Sequence, residues 1–157
     1  AMGRNPMTAG GALLDIGIYP ITYCLNLFGC PDKIECEGEI KDGIDIGETV
    51  TLTYKNAPCK LYMSYKYLKE DCIIEGTEGT ITVPLFHVSS IAKLKSRKGN
   101  ETFLGKTDYL TEFNEVAREI REGKTKSDFI PPEMTVAALE IMDECRKQMG
   151  LKYPFEK

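Results

Sequence analysis

The spacing of apolar and polar positions changes twice along this chain, and the changes mark its elements. From about Gly11 to Phe28 (GALLDIGIYPITYCLNLF), Leu14, Ile18, Ile21 and Leu25 recur at spacings of three and four, the helical period. Gly29 is placed to cap that helix, and Pro31 follows soon after. Pro20 lies within it, where a missing N–H either kinks the helix or splits it, the second piece then opening on Pro20 itself.

From Asp32 to about Phe103 the period falls to two, the signature of half-buried strands. KIECEGEIK sets Ile34, Cys36 and Ile40 against Lys33, Glu35, Glu37, Glu39 and Lys41. TVTLTY sets Val50, Leu52 and Tyr54 against Thr49, Thr51 and Thr53, and KLYMSYKY puts Leu61, Met63, Tyr65 and Tyr67 on one side. Asn56-Ala57-Pro58 reads as the turn between those two runs, and Gly76-Thr77-Glu78-Gly79 as the turn joining CIIEG to TITVP. SIAKLKS and ETFLG complete a meander of about six or seven strands, with Lys93, Lys95 and Arg97 on a solvated face. The helical period then returns. Leu110, Phe113, Ala117 and Ile120 line a helix stopped by Gly123; Pro131 and Pro132 open a last one, with Met134, Ala138, Ile141 and Cys145 on one face and Gly150 at its end. This order predicts an α+β fold: an open, mainly antiparallel sheet with helices packed on one face and the other face available for oligomerisation.

Composition narrows the chemistry. At 157 residues the chain has the size of one domain, since domains run to about 100–200 residues. A net charge of −4 with no basic stripe argues against a nucleic-acid surface, which needs clustered Lys and Arg to neutralise phosphates. No apolar run reaches the roughly 20 residues of a membrane span, and residues 1–11 lack the basic-then-apolar order of a secretory signal. A single histidine, His87, excludes a His-rich zinc centre within one chain. The six cysteines include no C-x-x-C pair, and Cys36, Cys72 and Cys145 fall at apolar positions, as buried reduced thiols of a cytoplasmic protein would; no metal site is expected. Neither G-x-G-x-x-G after a strand nor G-x-x-x-x-G-K-[ST] occurs, so no nucleotide site is expected within these residues.

Four segments nevertheless resemble one enzyme family in its own order. GGALLDIGIYPITYCLNLFG (Gly10 to Gly29), IIEGTEGTITVPLF (Ile73 to Phe86), FNEVAREIREGK (Phe113 to Lys124) and the tail from Pro131 to Glu156, with Asp143, Gly150 and Tyr153-Pro154-Phe155, are similar to the C-terminal domain of Gfo/Idh/MocA oxidoreductases. The family's N-terminal Rossmann domain, its Glu-Lys-Pro motif with a catalytic lysine, and the strand–helix–strand that precedes the first helix have no counterpart; Glu156-Lys157 lacks the proline, and Ala1 to Thr8 are too few. The resemblance therefore implies that residues 1–157 are a single, partial C-terminal substrate and oligomerisation domain, with Ala1 a cloning residue and the Rossmann domain a missing partner. NAD or NADP would serve the full-length parent; none is expected to bind this fragment, which alone would be inactive.

The same resemblance assigns the site. An aspartate on the first helix and a residue four later contact substrate near the nicotinamide; here they are Asp15 and Tyr19, with Tyr in place of His as in the dihydrodiol dehydrogenase and glucose–fructose oxidoreductase branch. Residues four apart share a helix face, and without the family such a pair reads as surface decoration or a capping contact. The implied reaction is reversible oxidation of a sugar, polyol or cyclic diol, with Tyr19 exchanging the alcohol proton and Asp15 orienting the substrate hydroxyl or Tyr19. A free tyrosine, of pKa about 10, needs a neighbouring cation for this, and the family lysine would be that cation. Gly10 and Gly11 are expected either to let backbone pass close to a ligand or to turn sharply into the helix. His87 is a further substrate-contact candidate, its other reading a surface-loop histidine; Arg4 falls near a family arginine. Tyr54, Tyr62, Tyr65 and Tyr67 read as sheet packing or a subunit contact. The alternative to an enzyme fragment is a non-catalytic binding or dimerisation module that uses the open sheet face.

Overall fold

The computed structural model describes residues 2–55, 57–66, 70–106 and 110–156. In chain order they form α1 (Ala12–Asp15), α2 (Ile18–Phe28), β1 (Lys33–Lys41), β2 (Ile44–Tyr54), β3 (Ala57–Ser64), β4 (Cys72–Glu75), β5 (Gly79–Val83), β6 (Ile91–Ser96), β7 (Gly99–Leu104), α3 (Leu110–Arg121) and α4 (Pro132–Met149), with single 3-10 turns at Met2–Arg4, Pro6–Thr8 and Phe86–Val88. They divide into two compact units, Ala1–Tyr67 with Asp128–Lys157, and Leu68–Ser127. The fold is α+β, and among the described residues seven antiparallel strands lie in two open sheets, β1-β2-β3 and β4-β5-β6-β7.

The first unit is built on the three-stranded sheet. β1 and β2 turn on Asp42-Gly43, both at positive φ (54° and 80°), the geometry a two-residue hairpin requires. Cys36, Val50, Leu52, Leu61 and Met63 form its buried face, covered by Leu13 of α1, Ile21, Cys24 and Leu25 of α2, and Ala138, Ile141, Met142 and Cys145 of α4. Burial of this set is the main force holding the unit together. Ala57 and Pro58 belong to β3, paired with Tyr54 and Thr53, so they are strand and not turn; Pro58 is tolerated because β3 is an edge. Asn56 and Tyr67, to which a turn and a packing position were assigned, lie outside the described residues, as does Ala1.

Three further expectations change. The first helix is two pieces, but the break falls at Ile16-Gly17 and not at Pro20, with the segments Pro6–Asp15 and Ile18–Phe28 bent by 48°. Pro20 sits in the first turn of α2, where backbone N–H groups have no intrahelical partner, so its missing N–H costs nothing. Gly17 is needed at the break, because a Cβ there would come within 2.4 Å of the Leu13 carbonyl oxygen. Ile40, expected inside, is 41% exposed: the ladder slips between Glu39 and Ile40, and such a bulge twists the hairpin end away from the core.

In the second unit, β4 and β5 turn at Gly76 to Gly79, whose backbone groups bond at 2.9 Å, and Lys93, Lys95 and Arg97 are exposed. α3 ends before Gly123, at φ 73°, as its spacing predicts. Its apolar stripe is not buried, however. Leu110, Phe113 and Ile120 are exposed and Ala117 is half-buried, whereas Glu119 is buried and accepts the Ser127 hydroxyl at 3.1 Å. The chain after Gly123 returns to the helix at Glu119, whose carbonyl accepts the Lys124 N–H at 2.9 Å, so Glu119 is the covered position. No single helix among the described residues is long and apolar enough to cross a membrane.

Candidate active site

The sequence Gly10-Gly11-Ala12-Leu13-Leu14-Asp15 becomes a tight entry into α1, fixed from several directions. Asn5 caps the preceding 3-10 turn through its side chain, which accepts the Met7 N–H at 2.9 Å, while its carbonyl accepts the Gly10 N–H at 2.9 Å. The Gly11 N–H donates to the Gly3 carbonyl at 3.0 Å, and the Tyr153 hydroxyl donates to the Gly10 carbonyl at 3.0 Å. Tyr153 is itself buried, with the Arg146 guanidinium 4.6 Å above its ring and Arg146 paired to Glu156. The chain beyond α4 thus clamps the turn.

Both glycines are buried, and the protein's own contacts account for them. A Cβ on Gly10 would lie 2.6 Å from the Asn5 nitrogen. At Gly11, where φ is 147°, a Cβ would lie 2.0 Å from Asp45 Oδ1. Asp45, on β2, is fully buried, and its Oδ2 accepts the Leu13 N–H at 2.6 Å, which ties the start of α1 to the sheet. Beside it on the same strand Glu48 is also buried, and desolvation, followed by the charge of Asp45, pushes its pKa up to about 9.

Asp15 ends α1 with its side chain exposed. Its Oδ2 accepts a hydrogen bond from the Tyr65 hydroxyl at 3.0 Å. That hydroxyl also lies 2.8 Å from the Gly3 carbonyl oxygen and 3.0 Å from that of Gly11, so one proton serves three acceptors. Burial, then the hydrogen bond and charge of Asp15, hold the Tyr65 pKa above the usual tyrosine value, with Arg4 opposing them; the Arg4 guanidinium stands 4.9 Å over the ring. Tyr19, in the first turn of α2, is 53% exposed. Asp15, Gly10 and Gly11 are therefore brought together by Tyr65, Gly3 and Asp45, and Tyr19 follows one helix break later. His87 belongs to the second unit, its Nδ1 3.3 Å from Glu70 Oε2 and its ring edge-on to Phe86. Among the described residues no cluster of three or more His, Cys, Asp or Glu could hold a metal ion.

Tyr65, Asp45 and Glu48 were not singled out by sequence reasoning. Tyr65 was absorbed into a packing stripe, from which nothing local distinguishes it. For the two acids a signal did exist: Gly47 within a strand pattern marks a bulge, and a bulge changes which residues face inward. The helix break separates Asp15 from Tyr19, so the shared helix face expected of residues four apart does not hold. An exposed, oriented carboxylate and a half-exposed phenol can each hydrogen-bond the hydroxyls of a small polar molecule.

Residues 2–82 match the family profile of the GFO/IDH/MocA C-terminal domain. The chain is 30% identical to a scyllo-inositol 2-dehydrogenase (NADP(+)) of Bacillus subtilis over 161 residues, 98% of this chain and 48% of that protein. It is 33% identical to a trans-1,2-dihydrobenzene-1,2-diol dehydrogenase of Danio rerio, over 92% of this chain and 48% of that one. Among solved structures it is similar in fold to a 3-ketoreductase from Actinomadura kijaniata in complex with TDP-benzene and NADP, with TM-score 0.75 and 18% identity over 89% of this chain and 48% of the other. The chain spans about half the length of the curated relatives it matches.

Proposed function

The chain belongs to the Gfo/Idh/MocA oxidoreductase family, and from that premise we propose that it is the substrate half of an NAD(P)-dependent oxidoreductase acting on a sugar, polyol or cyclic diol. In this reading residues 1–157 are part of one C-terminal substrate and oligomerisation domain whose partner is a nucleotide-binding Rossmann domain. The observation that carries it is the Tyr65-to-Asp15 hydrogen bond, which holds an exposed carboxylate at the end of α1, next to the turn that presents Tyr19.

Among the described residues, the double-glycine turn does not fit the nucleotide's pyrophosphate. The double-glycine turn is filled by Asn5 backbone and by the Asp45 carboxylate, whose charge would repel a pyrophosphate. Holding NAD or NADP is left to the other half, and redox chemistry would be supplied there. The work of this chain is binding and proton handling: the Tyr19 hydroxyl exchanges the alcohol proton, Asp15 orients the substrate hydroxyl or Tyr19, and Tyr65 keeps Asp15 in place. Gly10 and Gly11 shape the floor of the site. His87 is a separate substrate-contact candidate within the second unit, where its Nδ1 lies 3.3 Å from Glu70 Oε2. Self-association through the open sheet face is supported by Tyr62, which is 72% exposed on β3. The buried thiols Cys24, Cys36 and Cys145 suit a reducing cytoplasm.

The test is steady-state kinetics of the two-domain enzyme carrying Tyr19→Phe or Asp15→Asn. General acid–base catalysis contributes about 10²–10⁴-fold, so Tyr19→Phe should lower kcat within that range while cofactor affinity stays unchanged. Wild-type turnover in Tyr19→Phe overturns the assignment of Tyr19. Tight NAD(H) or NADP(H) binding by residues 1–157 alone would overturn the division of labour, and would favour a self-contained module.

A further inference from the structure

Asp45 and Glu48 are three apart on one strand, a spacing that normally sends side chains to opposite faces. The slip in the β1–β2 ladder changes that: Asp45 pairs with Ile40 and Gly47 with Glu39, so Ile46 is an extra residue without a partner across the ladder. The inserted residue resets the alternation, and Asp45 joins Glu48, Val50 and Leu52 in being buried. Both carboxyl groups are thereby buried, and the charge of Asp45 bears on Glu48. Asp45 Oδ2 takes the Leu13 N–H at 2.6 Å, but Asp45 Oδ1 and both Glu48 oxygens have no donor. Two carboxylates cannot satisfy each other, because neither carries a hydrogen to give, and burying both as anions is prohibitive.

We propose that Asp45 and Glu48 form one acid pair that shares a single proton, and that this pair is the positioning element holding the Gly10–Leu13 turn, and with it Asp15, against the sheet. The proton resides on Glu48 and is donated to the free oxygen of Asp45, whose other oxygen takes the Leu13 N–H. Gly11 is part of the same device, since only a residue without a Cβ lets the turn close onto Asp45 Oδ1. The assignment of the proton agrees with the raised pKa of Glu48, to which desolvation contributes most. The other titratable groups that face the pair are Cys36 from β1, Cys145 from α4 and Tyr153 from the chain after α4, and Tyr65 beyond β3 is also within reach of the Asp45 charge. All four are neutral when protonated, so none supplies a counter-cation. The inference concerns the folding of the turn and does not depend on the reaction proposed above.

The experiment is a pH titration of the chain itself, followed by carboxyl ¹³C and amide NMR and by urea unfolding. Glu48 should titrate near 9 and not at its ordinary 4.5, and the Leu13 amide proton should shift with the same midpoint. Because the folded pKa lies above the unfolded one, the stabilisation is complete below about pH 4.5 and is lost as pH rises toward 9. Over that window Glu48 alone should weaken the folding equilibrium constant about tenfold per pH unit. Glu48→Gln keeps a donor for Asp45 and removes the titration, so its curve should be flatter, leaving the variant about 10³-fold more favourably folded, relative to wild type, at pH 8 than at pH 5. Parallel curves, a Glu48 midpoint near 4.5, or a Leu13 amide indifferent to pH would each overturn the proposal. Should Glu48→Gln not fold, the wild-type titration of the Glu48 carboxyl and Leu13 amide decides alone.

Discussion

Replacing Gly11 by alanine isolates the contact on which the entry to α1 depends. The new Cβ would stand 2.0 Å from Asp45 Oδ1, against about 3.5 Å for a relaxed contact. The carboxylate would have to retreat by about 1.5 Å, enough to break its hydrogen bond to the Leu13 N–H. A hydrogen bond to a charged group contributes about 1.5–3 kcal/mol, and a side chain forced to a φ of 147° adds about 1–3 kcal/mol of backbone strain. The expected loss is therefore about 2.5–6 kcal/mol, a large part of the roughly 5–15 kcal/mol that holds a domain folded. Gly29→Ala is the control: φ is 75° but no atom lies within 4 Å of the added Cβ, so only strain of about 1–3 kcal/mol should appear. Urea unfolding followed by far-ultraviolet circular dichroism at pH 7 measures both. A double-mutant cycle completes the test, because in an Asp45→Ala background Gly11→Ala should fall to the cost of its control. If Gly11→Ala were no worse than Gly29→Ala, or its cost independent of Asp45, the steric reasoning would be refuted.

Tyr65→Phe deletes only the hydroxyl shared by Asp15, Gly3 and Gly11; unfolding should become easier by about 1–2 kcal/mol, with a displaced Asp15 carboxyl resonance, and an unchanged resonance would mean that Tyr65 does not hold Asp15. The Arg146 guanidinium holds the Glu156 carboxyl below its usual 4.5, so the stabilisation it contributes is present above that pH and is lost as pH falls through the lower folded value. Acid titration of unfolding should show Glu156→Gln losing less stability than wild type in that window, whereas parallel curves would deny the linkage.

Much of the architecture was legible in local pattern. The shift from helical spacing to alternation and back located the strands and the last two helices, because each element must bury one face and its period betrays which. Pro131-Pro132 and Gly150 at the ends of α4, and Gly29 after α2, were readable for the same local reason: a residue lacking an N–H suits a helix start, and one lacking a Cβ suits the left-handed end. The segment from Gly10 to Gly29 also carried the family resemblance, and with it Asp15 and Tyr19.

Tertiary structure decided what local pattern could not contain. One residue inserted at Ile46 turned Asp45 inward beside Glu48, and alternation counted along β2 alone places it on the other face. Tyr65 looked like every other residue of its stripe until β3 ended against Asp15, fifty positions away in sequence. The apolar stripe of α3 predicted a buried face, yet it is Glu119 that the chain after Gly123 covers. Periodicity reports which face of an element prefers to leave water; which groups meet there is set by ladder register and by chain returning from afar, and those are properties of the folded molecule.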